Sequence, residues 1–343
     1  MKRLLAIIIL AVGSTFCSFA NITEATLRQL IEKNKGKLNL CRRNLNIADI
    51  CLIASMLEKN EPITELYLDN NNIDDEGVEV LAWALESNAK LTLLRLNGNR
   101  ISARGARFIA DTLKKNSTLT TLHLCNNNIG IGAGFIAEAL KKNTRLTILH
   151  LANNDMGDLG AWSIAEALKT NTTLKHLVLA CNHIGVEGTI RITEALKTNK
   201  TLENLVLYGN AINDEMGEDG TIAIAKALEL NSALTCLDLR KTHISVDGAL
   251  FLVRALEVGS VRKALVRDYG RNAPIVFWMP LDGQKTSLGQ RKLVFEHNIF
   301  LTGTGRIVEE TQKNTHEGMK RPLNLESSDT ENSDPSQKKS NLQ

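Results

Sequence analysis

Residues 120–143 read TTLHLCNNNIGIGAGFIAEALKKN. In the first half Leu122 and Leu124 fall on one side of an extended chain and Thr121, His123 and Cys125 on the other, the alternation of a half-buried strand. The second half, Phe135-Ile136-Ala137-Glu138-Ala139-Leu140, has helical spacing. Taken alone, the strand raises a chemical question. Residues i and i+2 share a face about 7 Å apart, so the imidazole of His123 and the thiol of Cys125 would stand side by side, as in a metal site or an activated thiol.

The stretch has companions. TELYLDNNNIDDEGVEVLAWALESN from Thr64 and TLLRLNGNRISARGARFIADTLKKN from Thr92 repeat it, and four further copies follow. The second Leu of each L-x-L pair falls at 68, 96, 124, 151, 179, 207 and 239, spaced by 28, 28, 27, 28, 28 and 32. A fixed period in this range marks a solenoid of strand-plus-helix units, each too small to bury its own apolar face and stable only when stacked. The shared pattern, L-x-x-L-x-L-x-x-N-x-I followed by a Gly-containing loop and L/I-A-x-A-L-x-x-N, resembles leucine-rich repeats of the ribonuclease-inhibitor type, also found in NOD-like receptors. The resemblance covers roughly residues 38–260 and implies an α/β fold: a right-handed horseshoe with a parallel sheet on the concave face and helices on the convex face.

The fixed polar positions have structural explanations. Asn71, Asn99, Asn127, Asn154, Asn182 and Asn210 follow the strand where the backbone turns inward and loses water, and their amides are expected to form a buried ladder to main-chain groups. Asn60, Asn88, Asn116, Asn143, Asn171, Asn199 and Asn231 close each helix, where a left-handed cap is expected; this also accounts for the sequons at Asn116 and Asn171 without glycosylation. Gly77, Gly105, Gly132, Gly160, Gly188 and Gly248 enter the helices at positions calling for positive φ or close contact.

Residues 21–60 read as an N-terminal cap helix, Thr23 to Lys33, and a degenerate first repeat in which Arg43 replaces the ladder Asn. Seven repeats occupy 61–260. The sixth carries about four extra residues in the acidic loop NDEMGEDG, 213–220, which lacks the alternating carboxylates of a calcium loop. Residues 261–308, with PIVFWMPL and RKLVFEHNIFLTG, read as a β-rich C-terminal cap, and 309–343 as a disordered polar tail. Residues 1–20 have the plan of a signal peptide: Lys2 and Arg3, an apolar run, then Ser18-Phe19-Ala20. The run is too short to span a bilayer, so no membrane span is expected after cleavage. Five scattered cysteines would remain, an odd number that makes no disulfide framework.

The residues free of the scaffold lie in three lanes across the sheet. The middle lane reads Tyr67, Arg95, His123, His150, Val178, Val206 and Asp238; the next reads Asp69, Asn97, Cys125, Ala152, Ala180, Tyr208 and Arg240; the third includes His176. Charged and aromatic groups sit at both ends. Tyr and Arg are enriched in binding hot spots, so Tyr67, Asp69, Arg95, Asn97, His123, His150, His176, Tyr208, Asp238 and Arg240 are the expected contacts for a protein partner. Stacked parallel strands hold His123, His150 and Cys125 side by side without convergence or a carboxylate, so neither a metal site nor a catalytic pair is expected, and no cofactor. Close imidazoles would make binding sensitive to pH near 6. A net charge of +3 over 343 residues gives no case for nucleic-acid binding.

The expected function is a monomeric, non-enzymatic module for protein binding. Its signal peptide and its resemblance to a eukaryotic-type repeat imply an exported bacterial effector acting on a host protein. Two alternatives remain open: a GTPase activator, since similar repeats occur in the activator of Ran, and an envelope adhesion protein.

Overall fold

The computed structural model describes residues 21–213 and 218–258 and five strand segments between 263 and 309; side chains are described at 21–213, 218–245, 247–252 and 255. The proposed signal peptide, loop positions 214–217 and residues 310–343 lie outside the described residues. The described residues fall within one compact unit.

Within it, strand and helix alternate as a leucine-rich repeat solenoid. Strands β1 (Lys37–Asn39), β2 (Glu65–Tyr67), β3 (Leu93–Arg95), β4 (Thr121–His123), β5 (Ile148–His150), β6 (His176–Val178), β7 (Asn204–Val206) and β8 (Cys236–Arg240) pair in chain order, parallel throughout. Helix α1 (Glu24–Lys33) precedes them, its N-terminus held by the Thr23 side chain. The helices that follow successive strands are α2 (Ile47–Glu58), α3 (Asp75–Ser87), α4 (Ala103–Leu113), α5 (Ala133–Leu140), α6 (Gly157–Leu168), α7 (Val186–Thr198), α8 (Asp219–Leu230) and α9 (Val246–Val258). Strand β9 (Lys263–Arg267) pairs parallel to β8. The segments β10 (Pro274–Trp278), β11 (Leu293–Phe295), β12 (Ile299–Leu301) and β13 (Ile307–Glu309) continue antiparallel, so Glu309, read above as the start of the tail, ends a strand.

The register places one repeat's lane residues beside the next: Tyr67 opposite Arg95, Arg95 opposite His123, His123 opposite His150. Leu66, Leu94, Leu122, Leu149, Leu177, Leu205 and Leu237 point the other way into one continuous core, closed on its far side by Ala and Ile of the helices. Each such Leu contributes about 1.5–3 kcal/mol by burial. Small Ala residues on the helices, such as Ala137 and Ala165, let neighbouring helices approach without large side chains between them.

Both Asn series are buried, Asn60 excepted. Asn99 donates from Nδ2 to Leu68 O at 3.1 Å and Leu96 O at 2.9 Å, and its Oδ1 accepts from the backbone of Asn71 at 3.1 Å and Ile73 at 2.9 Å. Asn71, Asn127, Asn154, Asn182 and Asn210 donate to main-chain carbonyls in the same manner. The helix-end series differs from the expected left-handed cap. Of the seven, only Asn60 has positive φ, at 53°; Asn88, Asn199 and Asn231 are extended, with ψ of 128°, 126° and 125°. Each of the last six instead forms a second ladder. Asn116, for example, donates to Leu85 O of the preceding repeat at 2.7 Å and accepts from Leu119 N at 2.8 Å. The physical reason is burial: an amide that bridges two repeats satisfies main-chain groups that an exposed cap would leave to water. Positive φ falls elsewhere, just after the strands, at Asn70, Gly98, Asn126 and Asn153.

The recurrent glycines serve close contact. Gly105 lies in the first turn of α4, where a Cβ would come within 2.4 Å of Asp75 Oδ1. That carboxylate accepts from Ser102 N at 2.8 Å and Gly105 N at 2.9 Å, so one repeat caps the helix of the next. Asp158 does the same for α7 through Gly185 N at 2.7 Å and Gly188 N at 3.0 Å.

Candidate functional site

The sheet face carries two clusters of one design. At β2 and β3, the Arg95 guanidinium pairs with Asp69 at 2.6 Å and lies over the Tyr67 ring at 5.6 Å. The Tyr67 hydroxyl donates to Glu65, and Lys37 closes the chain on Glu65 at 2.9 Å. At β8, Arg240 grips Asp238 through Nε at 2.9 Å and through Nη2 at 2.5 Å, and lies over the Tyr208 ring at 5.6 Å. Lys241 approaches the same ring at 5.3 Å. Both clusters set an Arg between a carboxylate and an aromatic face, a geometry that fixes the cation and keeps one side of it available.

Asp69 and Asp238 are only 5% exposed, and their carboxylates are turned to the arginines. They position the cations and offer a partner little surface of their own. Asp69 also accepts from Asn97 N at 2.9 Å, and Asn97 in turn accepts from Cys125 N at 2.8 Å, so side chains of this lane hold the backbone of the next repeat. The Arg95 Nε–H finds no acceptor among the described residues.

Between the clusters lies a stripe of His123, His150, Val178 and Val206. The two imidazoles stack with centroids 4.0 Å apart and planes at 25°. Burial, the neighbouring imidazole and Arg95 push His123 down to about 4; burial, His176 and Arg95 lower His150 as well. His123 is therefore neutral near pH 6, and the sensitivity expected there moves, for this ring, to more acidic solution. His176 stands apart from the stack, its Nδ1 at 2.7 Å from the amide of Asn204. Burial raises the Cys125 thiol above its ordinary value, which is the reverse of activation. Among the described residues no three His, Cys, Asp or Glu side chains converge as metal ligands, and no helix is long and apolar enough to cross a membrane.

The ten sequence-expected contact residues thus resolve into three groups. Tyr67, Arg95, Tyr208 and Arg240 form the half-buried anchors, His123 and His150 the centre, and Asp69, Asp238, Asn97 and His176 hold their neighbours in place. Sequence reasoning missed the pairing of each Arg with the Asp and Tyr around it. The signal was present in the aligned lanes, where Tyr, Arg and Asp recur together at both ends.

Four stretches of the chain, 59–82, 87–110, 142–165 and 170–192, match the leucine-rich repeat family model. No curated protein matches the sequence at a significant level. Among solved structures, the chain is similar to one titled Leiomodin-1 Actin-Binding Site 2, at 32% identity over 43% of this chain and 86% of that one, with a TM-score of 0.39. It is also similar to the tropomodulin C-terminal domain of Caenorhabditis elegans, at 16% identity over 44% of this chain and 93% of that one, with a TM-score of 0.39.

Proposed function

We propose that the chain is a non-enzymatic binding module whose sheet face holds a protein partner between the two Tyr–Arg–Asp clusters. Leucine-rich repeats are protein-interaction modules, and the observation that supports this particular surface is the paired clusters flanking a stripe of imidazole and valine. With strands about 4.8 Å apart, β2 and β8 stand roughly 30 Å apart along the sheet, the scale of a standard protein interface. Each Arg is pre-ordered by its Asp and Tyr, so little side-chain entropy remains to be lost on binding.

In its most specific form the reading is that of an exported bacterial protein with a host protein as partner; its support is the sequence of residues 1–20 and the resemblance of the repeats. Recovery of the mature chain from the bacterial envelope alone would overturn that form. The surface itself is tested by affinity capture from host lysate with the wild-type chain and with an Arg95→Glu/Tyr208→Ala variant of matched thermal stability. The partner recovered by the wild type is expected to be lost with the variant, and equal recovery would reject this face.

A further inference from the structure

The sheet face has a polarity that shows when the two partners of each ion pair are compared. Arg95 and Asp69 pair at 2.6 Å with side chains 37% and 8% exposed, and Arg240 and Asp238 at 2.5 Å with 38% and 7%. Lys37 and Glu65, at 2.9 Å, stand at 58% and 23%. Beside the middle strands Lys175 pairs with Glu203 at 2.8 Å, and the lysine is again the more exposed partner. In each of these pairs the cation lies outward and the carboxylate inward. The main chain holds the two aspartates down: Asp69 accepts from Asn97 N at 2.9 Å and Asp238 from Arg240 N at 3.1 Å.

Pairing does not exhaust the arginines. A guanidinium carries five N–H donors in a fixed fork. Asp238 takes donors of Arg240 on Nε and Nη2, and Asp69 takes one on Nη2 of Arg95. Neither Nη1 has an acceptor among the described residues, so each Arg keeps charged N–H groups for a second carboxylate.

The turns that follow the strands add cations at the same two ends. Their residues take positive φ, a conformation that Asn and Gly reach at least cost. The middle copies use Asn70, Gly98, Asn126, Asn153 and Gly209, with Cys181 the exception. The first copy instead has Arg42, at φ 57°, and the last has Lys241, at φ 56° and 5.3 Å from the centre of the Tyr208 ring. The scaffold calls for a cation at neither position. Beyond β8 the register sets Arg267 opposite Arg240. Between these ends the middle lane is uncharged at neutral pH, with two buried imidazoles of lowered basicity followed by Val178 and Val206.

This distribution selects among occupants. A second copy laid face to face would bring cations against cations at both ends. A DNA duplex carries about one charge per 1.7 Å and would spread that charge over the uncharged middle. The complement is a surface with carboxylates at two separated places and an apolar stretch between them.

We propose that the partner of the sheet face is an acidic protein, which sets carboxylates on Arg95 and Arg240 and an apolar stretch on the stripe from His123 to Val206. The proposal rests on the sheet-face reading above and adds the partner's chemistry to it. From β3 to β8 the sheet spans roughly 24 Å, the reach of an extended segment of about eight residues.

The test uses the full chain and three fluorescent synthetic peptides of about ten residues, enough to bridge the two arginines when extended. The first has a pair of Glu at each end and Val and Ser between; the second has the same residues with every Glu in the middle; the third has Lys at the ends in place of Glu. Binding is read by fluorescence anisotropy at low and moderate salt. The Glu-ended peptide is expected to bind about tenfold more tightly than the Lys-ended one and about threefold more tightly than the Glu-centred one, and to weaken as salt rises. Arg95→Gln/Arg240→Gln is expected to weaken it about tenfold. Because that change strands Asp69 and Asp238, the exposed pair Lys37→Gln/Arg42→Gln is measured as well, with about a threefold loss expected and thermal melting unchanged. The proposal is overturned by equal binding of the Glu-ended and Lys-ended peptides, by no binding at millimolar concentration, or by variants that melt normally and bind as the wild type does. It is likewise overturned by a DNA duplex that binds more tightly than the Glu-ended peptide at moderate salt, or by self-association through Arg95 and Arg240 in analytical ultracentrifugation. Partner capture that is lost with the Arg95→Glu/Tyr208→Ala chain, together with no peptide binding, would strike the acidic partner and leave the sheet-face reading standing. Equal capture by both chains would strike that reading.

Discussion

The two asparagine columns and the sheet face are made from the same repeats, but they use repetition in opposite ways. Inside, each column places the same side chain on equivalent main-chain partners in copy after copy, as when Asn88 donates to Leu57 O at 2.8 Å and Asn199 to Leu168 O at 2.8 Å. Outside, one lane runs from Tyr67 to Asp238 without a constant residue. The difference follows from water. A turn buried between two repeats has main-chain groups that only a fitted amide can satisfy, whereas a half-exposed lane has no such demand and its residues are free to encode a partner.

The most forceful way to break this comparison is to empty one rung. Asn99→Leu removes two acceptor contacts and the donations to Leu68 O and Leu96 O. Leaving such groups buried and unpaired costs about 1–3 kcal/mol each, and allowing for relaxation a loss of about 3–5 kcal/mol is expected in denaturant unfolding. Asn154→Leu should cost less by about 1–2 kcal/mol, because its Oδ1 has no donor to abandon. An equal loss at both positions would show that the broken rung has no energetic meaning.

A smaller effect is expected where one repeat caps the next. Asp158→Ala leaves Gly185 N and Gly188 N without their acceptor, at a cost of about 1–2 kcal/mol. The equivalent position one copy before α5 is Ala103, whose backbone lies where a Cβ on Gly132 would reach it at 2.6 Å. Two repeats thus share a glycine for different reasons, one to admit a carboxylate and one to admit a helix.

The strand-helix solenoid was legible because its cause is periodic: Leu122, Leu124 and Ile136 recur in phase, and seven copies repeat the same burial. The helix-end asparagines were placed correctly in the chain and given the wrong geometry. Periodicity reports that Asn116 sits at a helix end but not whether its amide faces water or the next repeat, since the partner Leu85 O lies 31 residues away. The sheet-face lanes came from alternation alone, and the strand register matches them. What alternation leaves out is which side chains pair between lanes, such as Arg240 folding back on Asp238 two residues before it. The exposed Ile131, Phe135, Leu159 and Trp162 were hidden for the converse reason: apolar residues near and within a helix read as core, and only at Trp162 do the aligned Glu79 and Arg107 mark the position as outward-facing.

The histidine stack offers a subtler test of the outer lane. The folded state holds His123 at about 4, below its ordinary value near 6.5, through burial, His150 and Arg95. The unfolded chain therefore binds protons more readily across that interval, and the neutral ring's stability is fully present above about pH 6.5 and lost as pH falls toward 4. His123→Gln is expected to flatten the fall in stability between pH 6.5 and 4 relative to the wild type, with no change in slope above pH 7. A wild-type profile identical to that of the variant would place the stacked rings in ordinary contact with water.

The smallest effect guards against treating repetition as sufficient. Glu138–Lys141, Glu166–Lys169 and Glu194–Lys197 recur at one position of α5, α6 and α7, at 2.6, 2.5 and 2.5 Å. They are as regular as the asparagines, but their side chains are exposed, so solvent and salt screen the attraction. Lys141→Ala, Lys169→Ala and Lys197→Ala should each change stability by no more than about 0.5 kcal/mol, an order of magnitude below the buried rung, with the difference shrinking further in high salt. A loss comparable to that of Asn99→Leu would mean that phase alone predicts energetic weight. The expected outcome assigns that weight to burial: a repeated residue holds the solenoid together only where its polar atoms have no access to water.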